Sequence, residues 1–273
     1  MLGSLWADRP SWSRTLLLLP SLLSLLCSAG AEMTERPFME FESAALEPLT
    51  KRAAGEDLEL ECSVTGSPPP TIQWFKDGKS LLLKPSALDE EAVGTEVEQV
   101  ANQGLPTIQT ATTNGRIGLA CVGEEAGGIY SCRASNGLAP PITRNTTLLV
   151  SPSNKNALLC PKTRRSRMPQ GQPARIRMWT DMRLERADAV AQLFCRASGN
   201  PKPKILWYRL DEDLQTRSLI QPSKNFIFLR NGDLLVRKAE PADQGGFSFL
   251  CEAENTYGSD SKIITLVDIV FDA

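Results

Sequence analysis

Two cysteine–tryptophan pairs at a single spacing constrain this chain more than any other feature. Cys62 is followed twelve residues later by Trp74, and Cys195 is followed twelve residues later by Trp207. A further cysteine closes each pair: Cys132, 70 residues after Cys62, and Cys251, 56 residues after Cys195. The first cysteine of each set lies among apolar residues. Leu58, Leu60 and Cys62 alternate strictly, and Val190, Leu193 and Cys195 do so more loosely, the period-two signature of a half-buried strand. Between cysteine and tryptophan runs a Gly-Pro segment and then a second alternating stretch, TGSPPPTIQWFKDG in one copy and ASGNPKPKILWYRLDED in the other. A generic cysteine-rich secreted fold has no need of an indole at a fixed offset from a thiol. Two layers of strands joined by a buried bridge do, because the ring shields the sulfurs.

That arrangement is the mark of an immunoglobulin-like sandwich, with cysteines on strands B and F and the tryptophan on strand C. The reading is an all-β protein of two tandem immunoglobulin-like sandwiches of the I-set type, at residues 38–151 and 173–270, joined by a linker at 152–172. It predicts bridges Cys62–Cys132 and Cys195–Cys251, core tryptophans Trp74 and Trp207, and closing strands at Thr146–Val150 and Ile263–Val267. Tyr130, two residues before Cys132, suits a corner in which the hydroxyl bonds upstream backbone. In the second copy Phe249 holds that place and cannot make the bond, and Phe247 competes for the slot. Asn255, Tyr257 and Gly258 fit the last hairpin turn.

Ahead of the repeats, Arg9 and Arg14 precede the run LLLLPSLLSLLC from Leu16 to Cys27, and Ala29-Gly30-Ala31 supplies a small-x-small cleavage pattern. Residues 1–31 read as a signal peptide and the mature chain as secreted. The run is too short to span a bilayer, and Pro20 interrupts it. Removing Cys27 leaves six of the 7 cysteines, an even set suited to an oxidising compartment. Cys121 and Cys160 remain after the two expected bridges. They read as a third bridge tying the linker to the first sandwich, with two free thiols or an intermolecular bond through Cys160 as the alternatives. The chain has 0 histidines, which removes imidazole bases, histidine-activated nucleophiles and histidine zinc sites. No carboxylate or lysine motif suggests catalysis, so the expectation is no enzyme, no cofactor and no metal.

Charge is uneven. Residues 32–150 carry 9 Lys+Arg against 17 Asp+Glu, residues 151–186 carry 9 against 2, and residues 187–273 carry 10 against 12. The basic stretch includes Lys162, Arg164, Arg165, Arg167, Arg175, Arg177, Arg183 and Arg186. It reads as a solvated linker and edge strand, as a site for a sulfated glycosaminoglycan or another acidic partner, or, at Arg164–Arg167, as a processing site. The secretory route argues against nucleic acid, and no later segment argues for membrane insertion. Asn145-Thr146-Thr147 is the sole glycosylation sequon and opens the closing strand of the first sandwich. Residues 79–115 read as edge strands plus an acidic loop carrying Asp89, Glu90, Glu91, Glu96 and Glu98, with a ligand-facing surface as a second reading.

The segments ARIRMWTD (Ala174–Asp181), LFCRASGNPKPKILWY (Leu193–Tyr208), NGDLLV (Asn231–Val236) and CEAENTYG (Cys251–Gly258) give the chain a family likeness. It resembles the arthropod secreted two-immunoglobulin proteins known as neural/ectodermal development factors, and the related nematode zwei-Ig proteins. The likeness is most specific at Met178-Trp179-Thr180-Asp181 and at the extra pair Cys121 and Cys160. It implies capture of insulin-like peptides outside the cell and damping of growth signalling, with an adhesive or neural-maintenance role at cell surfaces as the alternative. Ile176, Met178 and Trp179 are the candidate ligand anchors, the competing reading being a strand packed into its own core. Strict alternation would set Ile176 and Met178 on one face and Trp179 on the other, so something must cover the indole.

Overall fold

The computed structural model describes residues 36–43, 46–81, 98–105, 107–152, 171–186, 189–211, 213–237 and 247–269. The expected signal peptide, most of the expected linker with Cys160, and Lys162, Arg164, Arg165 and Arg167 lie outside the described residues.

The first sandwich is built from β1 (Phe38–Phe41), β2 (Leu49–Ala53), β3 (Leu58–Ser67), β4 (Thr71–Lys76), β5 (Lys79–Ser80), β6 (Thr110–Leu119), β7 (Gly128–Ser135) and β8 (Ile142–Ser151). One layer runs β1-β3-β6, the other β2-β8-β7-β4-β5. Alternation on β3 sends Leu58, Leu60, Cys62 and Val64 inward and Glu59 and Glu61 outward, so one face seals the core while the other stays wet. The Cys62–Cys132 bridge spans the layers with Cα atoms 6.5 Å apart. Trp74 is the cross-strand partner of Cys132 and is buried beside it. Tyr130 donates its hydroxyl to the Ala126 carbonyl at 2.8 Å, the corner bond the sequence anticipated.

The second sandwich comprises β9 (Gln172–Arg186), β10 (Ala191–Leu193), β11 (Cys195–Asn200), β12 (Lys204–Leu210), β13 (Arg217–Leu219), β14 (Phe226–Phe228), β15 (Leu234–Val236), β16 (Phe247–Asn255) and β17 (Gly258–Ile269). Cys195–Cys251 repeats the inter-layer bridge with Cα atoms 6.5 Å apart. Trp207, fully buried, pairs with Cys251 and donates its indole N–H to the Gly232 carbonyl at 3.0 Å. The NGD turn explains its own sequence. Asp233 is buried and accepts from the Gln192 side chain at 2.9 Å, from Arg196 Nη2 at 2.9 Å and from the Cys195 amide at 3.1 Å. Gly232, at φ +104°, has no room for a side chain, since a Cβ there would stand 2.4 Å from the Cys195 carbonyl oxygen. Phe249 fills the corner that lacks a tyrosine, meeting Phe226 edge-on at 6.4 Å, and Phe247 is buried next to it on the same strand.

The two sandwiches are not beads on a string. β6, which has β3 on one edge, pairs along its other edge with β9, from Thr110 opposite Leu184 to Gly115 opposite Met178. β9 in turn pairs with β11 through its first half and with β17, in parallel, through its second. A single sheet therefore runs β1-β3-β6-β9-β17-β16-β12-β13, with β11 joined to β9, for nine strands in all. Residues Glu35–Ala273 make one compact unit.

Candidate functional site

β9 serves both sandwiches and carries three register shifts, two opposite β11 and one opposite β6. Opposite β11 the register slips so that Trp179, Met178 and Ile176 face Cys195, Arg196 and Ala197, leaving Arg177 bulged. Opposite β6, Thr113 pairs with Thr180 and Thr112 with Met182, leaving Asp181 bulged. The first slip overturns strict alternation. Ile176 and Trp179 both enter the core of the second sandwich, while Met178 enters the core of the first. All three are buried, at 0%, 2% and 5% exposure, so in this arrangement the candidate anchors hold the seam and present nothing to a ligand. Met178 Sδ accepts a hydrogen bond from the Ile72 amide at 3.3 Å. Trp179 is covered by Lys262, 4.0 Å from its ring centre, and by Arg116 at 5.5 Å, both in cation–π range. Arg116, from the first sandwich, also donates to the Ile176 carbonyl at 2.6 Å and pairs with Asp260 of the second.

The far end of the seam holds a buried charge cluster. Arg183 has no exposed side-chain surface and pairs with Glu98 and, at 2.7 Å, with Glu185. Glu185 accepts the amides of Ile108 at 2.8 Å and Gln109 at 3.2 Å, while Asn102 makes a two-way clasp with the Val190 backbone at 2.7 and 2.8 Å. Two expectations change here. Glu98 is not part of a solvated acidic loop, and burial, only partly countered by Arg183, pushes its carboxyl above the usual range. Arg183 is likewise no part of an open cationic surface.

Asp268 stands directly opposite Glu185 across β17 and β9. Loss of hydration, with the Glu185 charge second, pushes its carboxyl up to about 6. A carboxyl that binds its proton more tightly in the fold than in the unfolded chain stabilises at low pH. That contribution is lost as pH rises through about 6. Asp268→Asn is therefore expected to raise the melting temperature at pH 7.5 and to leave it nearly unchanged at pH 4. Scanning calorimetry at the two pH values checks this, and a gain of equal size at both would contradict it.

Away from the seam, the outer face of the second sandwich carries an unbroken apolar row. Leu219 pairs with Tyr208, Tyr208 with Leu250, and Leu250 with Ile263, so the four side chains stand side by side across β13, β12, β16 and β17. Leu219 is 49% exposed and Ile263 45%, with Tyr208 and Leu250 half-buried between them. Met182, 40% exposed and opposite Thr265, continues this face onto β9. Arg217 caps Tyr208 at 4.6 Å and pairs with Glu252 at 3.3 Å, giving the row a polar rim. Sequence reasoning missed this row. Its signal was present in the outward positions of strands C, F and G, which read Tyr, Leu and Ile where wet faces usually carry polar residues.

The remaining candidates are quickly placed. Asn145 is exposed on β8. Cys121 is disulfide-bonded, and because the other four described cysteines pair among themselves its partner lies outside the described residues. Among the described residues no helix is long and apolar enough to cross a membrane.

Comparison with known proteins agrees with this architecture. An immunoglobulin domain model matches residues 45–136 and an immunoglobulin I-set domain model matches residues 181–267. The crystal structure of neural ectodermal development factor IMP-L2 superposes with a TM-score of 0.58 at 21% identity, covering 86% of this chain and 96% of that one, a likeness of fold. Mouse immunoglobulin superfamily member 10 is 29% identical over 219 residues, but the match takes in only 7% of its length. Zwei Ig domain protein zig-3 of Caenorhabditis elegans is 31% identical over 206 residues, covering 76% of this chain and 72% of the relative. Zwei Ig domain protein zig-4 of the same organism is 30% identical over 204 residues, covering 75% of this chain and 70% of the relative. With two immunoglobulin domains matched and the two-domain length shared, the chain belongs to the zwei Ig domain proteins, non-enzymatic members of the immunoglobulin superfamily.

Proposed function

We propose that this is a secreted binding protein that captures insulin-like peptides and thereby dampens growth signalling. The observation that carries the reading is the apolar row Leu219–Tyr208–Leu250–Ile263, continued by Met182, on the outer face of the shared sheet. Tyr208 and the Arg217 stacked on it are residue types enriched in protein-binding hot spots, and Leu219, Leu250 and Ile263 add apolar area around them, which suits a small hormone with an apolar patch of its own. The likeness to the two-immunoglobulin development factors supports the hormone class.

The test is calorimetric titration of the secreted protein with an insulin-like peptide at physiological salt. Nanomolar binding is expected. Ile263→Glu should weaken it by about 2 kcal/mol, roughly thirtyfold. Leu138→Glu, on an exposed turn of the first sandwich, should leave it unchanged. Absence of heat at micromolar peptide would sink the reading. A second reading, an adhesive module at cell surfaces, draws on the match to immunoglobulin superfamily member 10 over 79% of this chain. It predicts retention on cells and clustering of coated beads, with no hormone bound.

A further inference from the structure

The first sandwich carries a second exposed apolar face, with a glycosylation sequon beside it. On the outer side of the first sandwich, Leu49 pairs with Thr147 and Thr147 with Ile129, while Leu149 pairs with Lys51. Leu49 is 43% exposed, Ile129 48% and Leu149 49%. In the neighbouring register row, Asn145 pairs with Ser131 and Ser131 with Phe75. Thr147 thus stands at the centre of this face, and Asn145 lies one register row to its side on the same strand. Leu49 and Ile129 are the diagonal neighbours of Asn145 on the two flanking strands, roughly 7–8 Å away. Its sequon partner Thr147 lies between those two residues.

We propose that Asn145 carries an N-linked glycan whose first sugars lie across Leu49, Ile129 and Leu149 and keep this face from self-association. In the attachment step the Asn145 amide nitrogen loses a proton and forms a bond to the reducing-end C1 of an oligosaccharide. The donor is a lipid pyrophosphate-linked glycan, and the lipid pyrophosphate leaves. A pyranose ring presents C–H groups on one face and hydroxyls around its edge. It can therefore cover leucine and isoleucine while turning a polar surface to water. β8 is flanked by β2 and β7, so this face cannot be hidden by strand pairing, and an exposed apolar surface of this kind is otherwise an association liability. The proposal concerns a face distinct from the hormone-binding row, so either reading stands if the other fails.

The experiment compares three forms made in a secreting eukaryotic host: the wild type, the folded wild type trimmed by an endoglycosidase to one sugar, and Asn145→Gln. Intact mass should show a glycan ladder on the wild type that collapses on trimming. Sedimentation velocity should show a monomeric wild type and an Asn145→Gln protein whose self-association constant is roughly tenfold higher, with the trimmed form between them. Adding Ile129→Thr and Leu149→Thr to Asn145→Gln should restore the monomer. An unmodified Asn145 would overturn the proposal. So would an Asn145→Gln protein as monomeric as the wild type, or a glycosylated wild type already paired through this face.

Discussion

Arg183→Ala is expected to cost about 3–5 kcal/mol of folding stability, because it strands two buried carboxylates. Glu98 and Glu185 are both within the seam, and Arg183 is the cation that each meets there. The Nε and Nη1 of Arg183 find no hydrogen-bond partner among the described residues, so the two carboxylates carry the compensation for burying this guanidinium. Deleting it leaves two negative groups facing each other without water. Glu98, whose carboxyl burial already raises, relieves the strain by binding a proton, so the deficit should shrink as pH falls. Urea denaturation of Arg183→Ala at pH 7.5 and pH 5 measures both effects. The triple variant Arg183→Met, Glu98→Leu, Glu185→Leu should recover much of the loss, since an apolar replacement of a whole buried cluster removes the unpaired charge. A loss below about 1 kcal/mol at pH 7.5 would show the cluster to be far wetter than its burial implies.

Removing the second bridge with Cys195→Ala and Cys251→Ala should be comparably damaging. The crosslink closes 56 residues, and chain-entropy arguments put its stabilisation at about 4 kcal/mol. Both cysteines are fully buried against Trp207, so the truncated sulfurs also leave that ring under-packed. For a chain of this size the melting temperature should fall by about 10 °C. The distinctive expectation concerns where the loss appears. Because β9 belongs to the hydrogen-bond ladders of both sandwiches, calorimetry should show one transition moving down as a whole. An early melt of the second sandwich, with the first unfolding at its original temperature, would refute that coupling.

Much of the fold was legible in the residues, for a physical reason. A bridge and its shielding indole need a fixed separation along strands B and C, and that need is written locally at Cys62–Trp74 and Cys195–Trp207. The corner at Tyr130 is equally local, since one hydroxyl reaches a carbonyl four residues upstream. The pairing of β6 with β9 is not. It depends on a register between segments far apart in sequence, and three register shifts along β9 reset which side chains point where. A hint existed in Met178-Trp179, adjacent large side chains on a strand, which cannot both face one core without a bulge or a second core. The buried polar run Thr112, Thr113 and Asn114 gave no hint, because on sequence alone it reads as a wet strand. The candidate site suffered from the same non-locality. The residues chosen for their chemistry turned inward, while the exposed row emerged only once four strands were set in register.

The joining of two sandwiches through backbone ladders has a consequence for recognition. Tandem domains on a loose tether must forfeit hinge freedom whenever a partner touches both. Here the orientation is set before any encounter, by the amides and carbonyls of one strand gripped on either side. A partner resting on the sheet where β3 and β6 of the first sandwich meet β9 and β17 of the second would meet a preorganised surface, and that lowers the entropic cost of association.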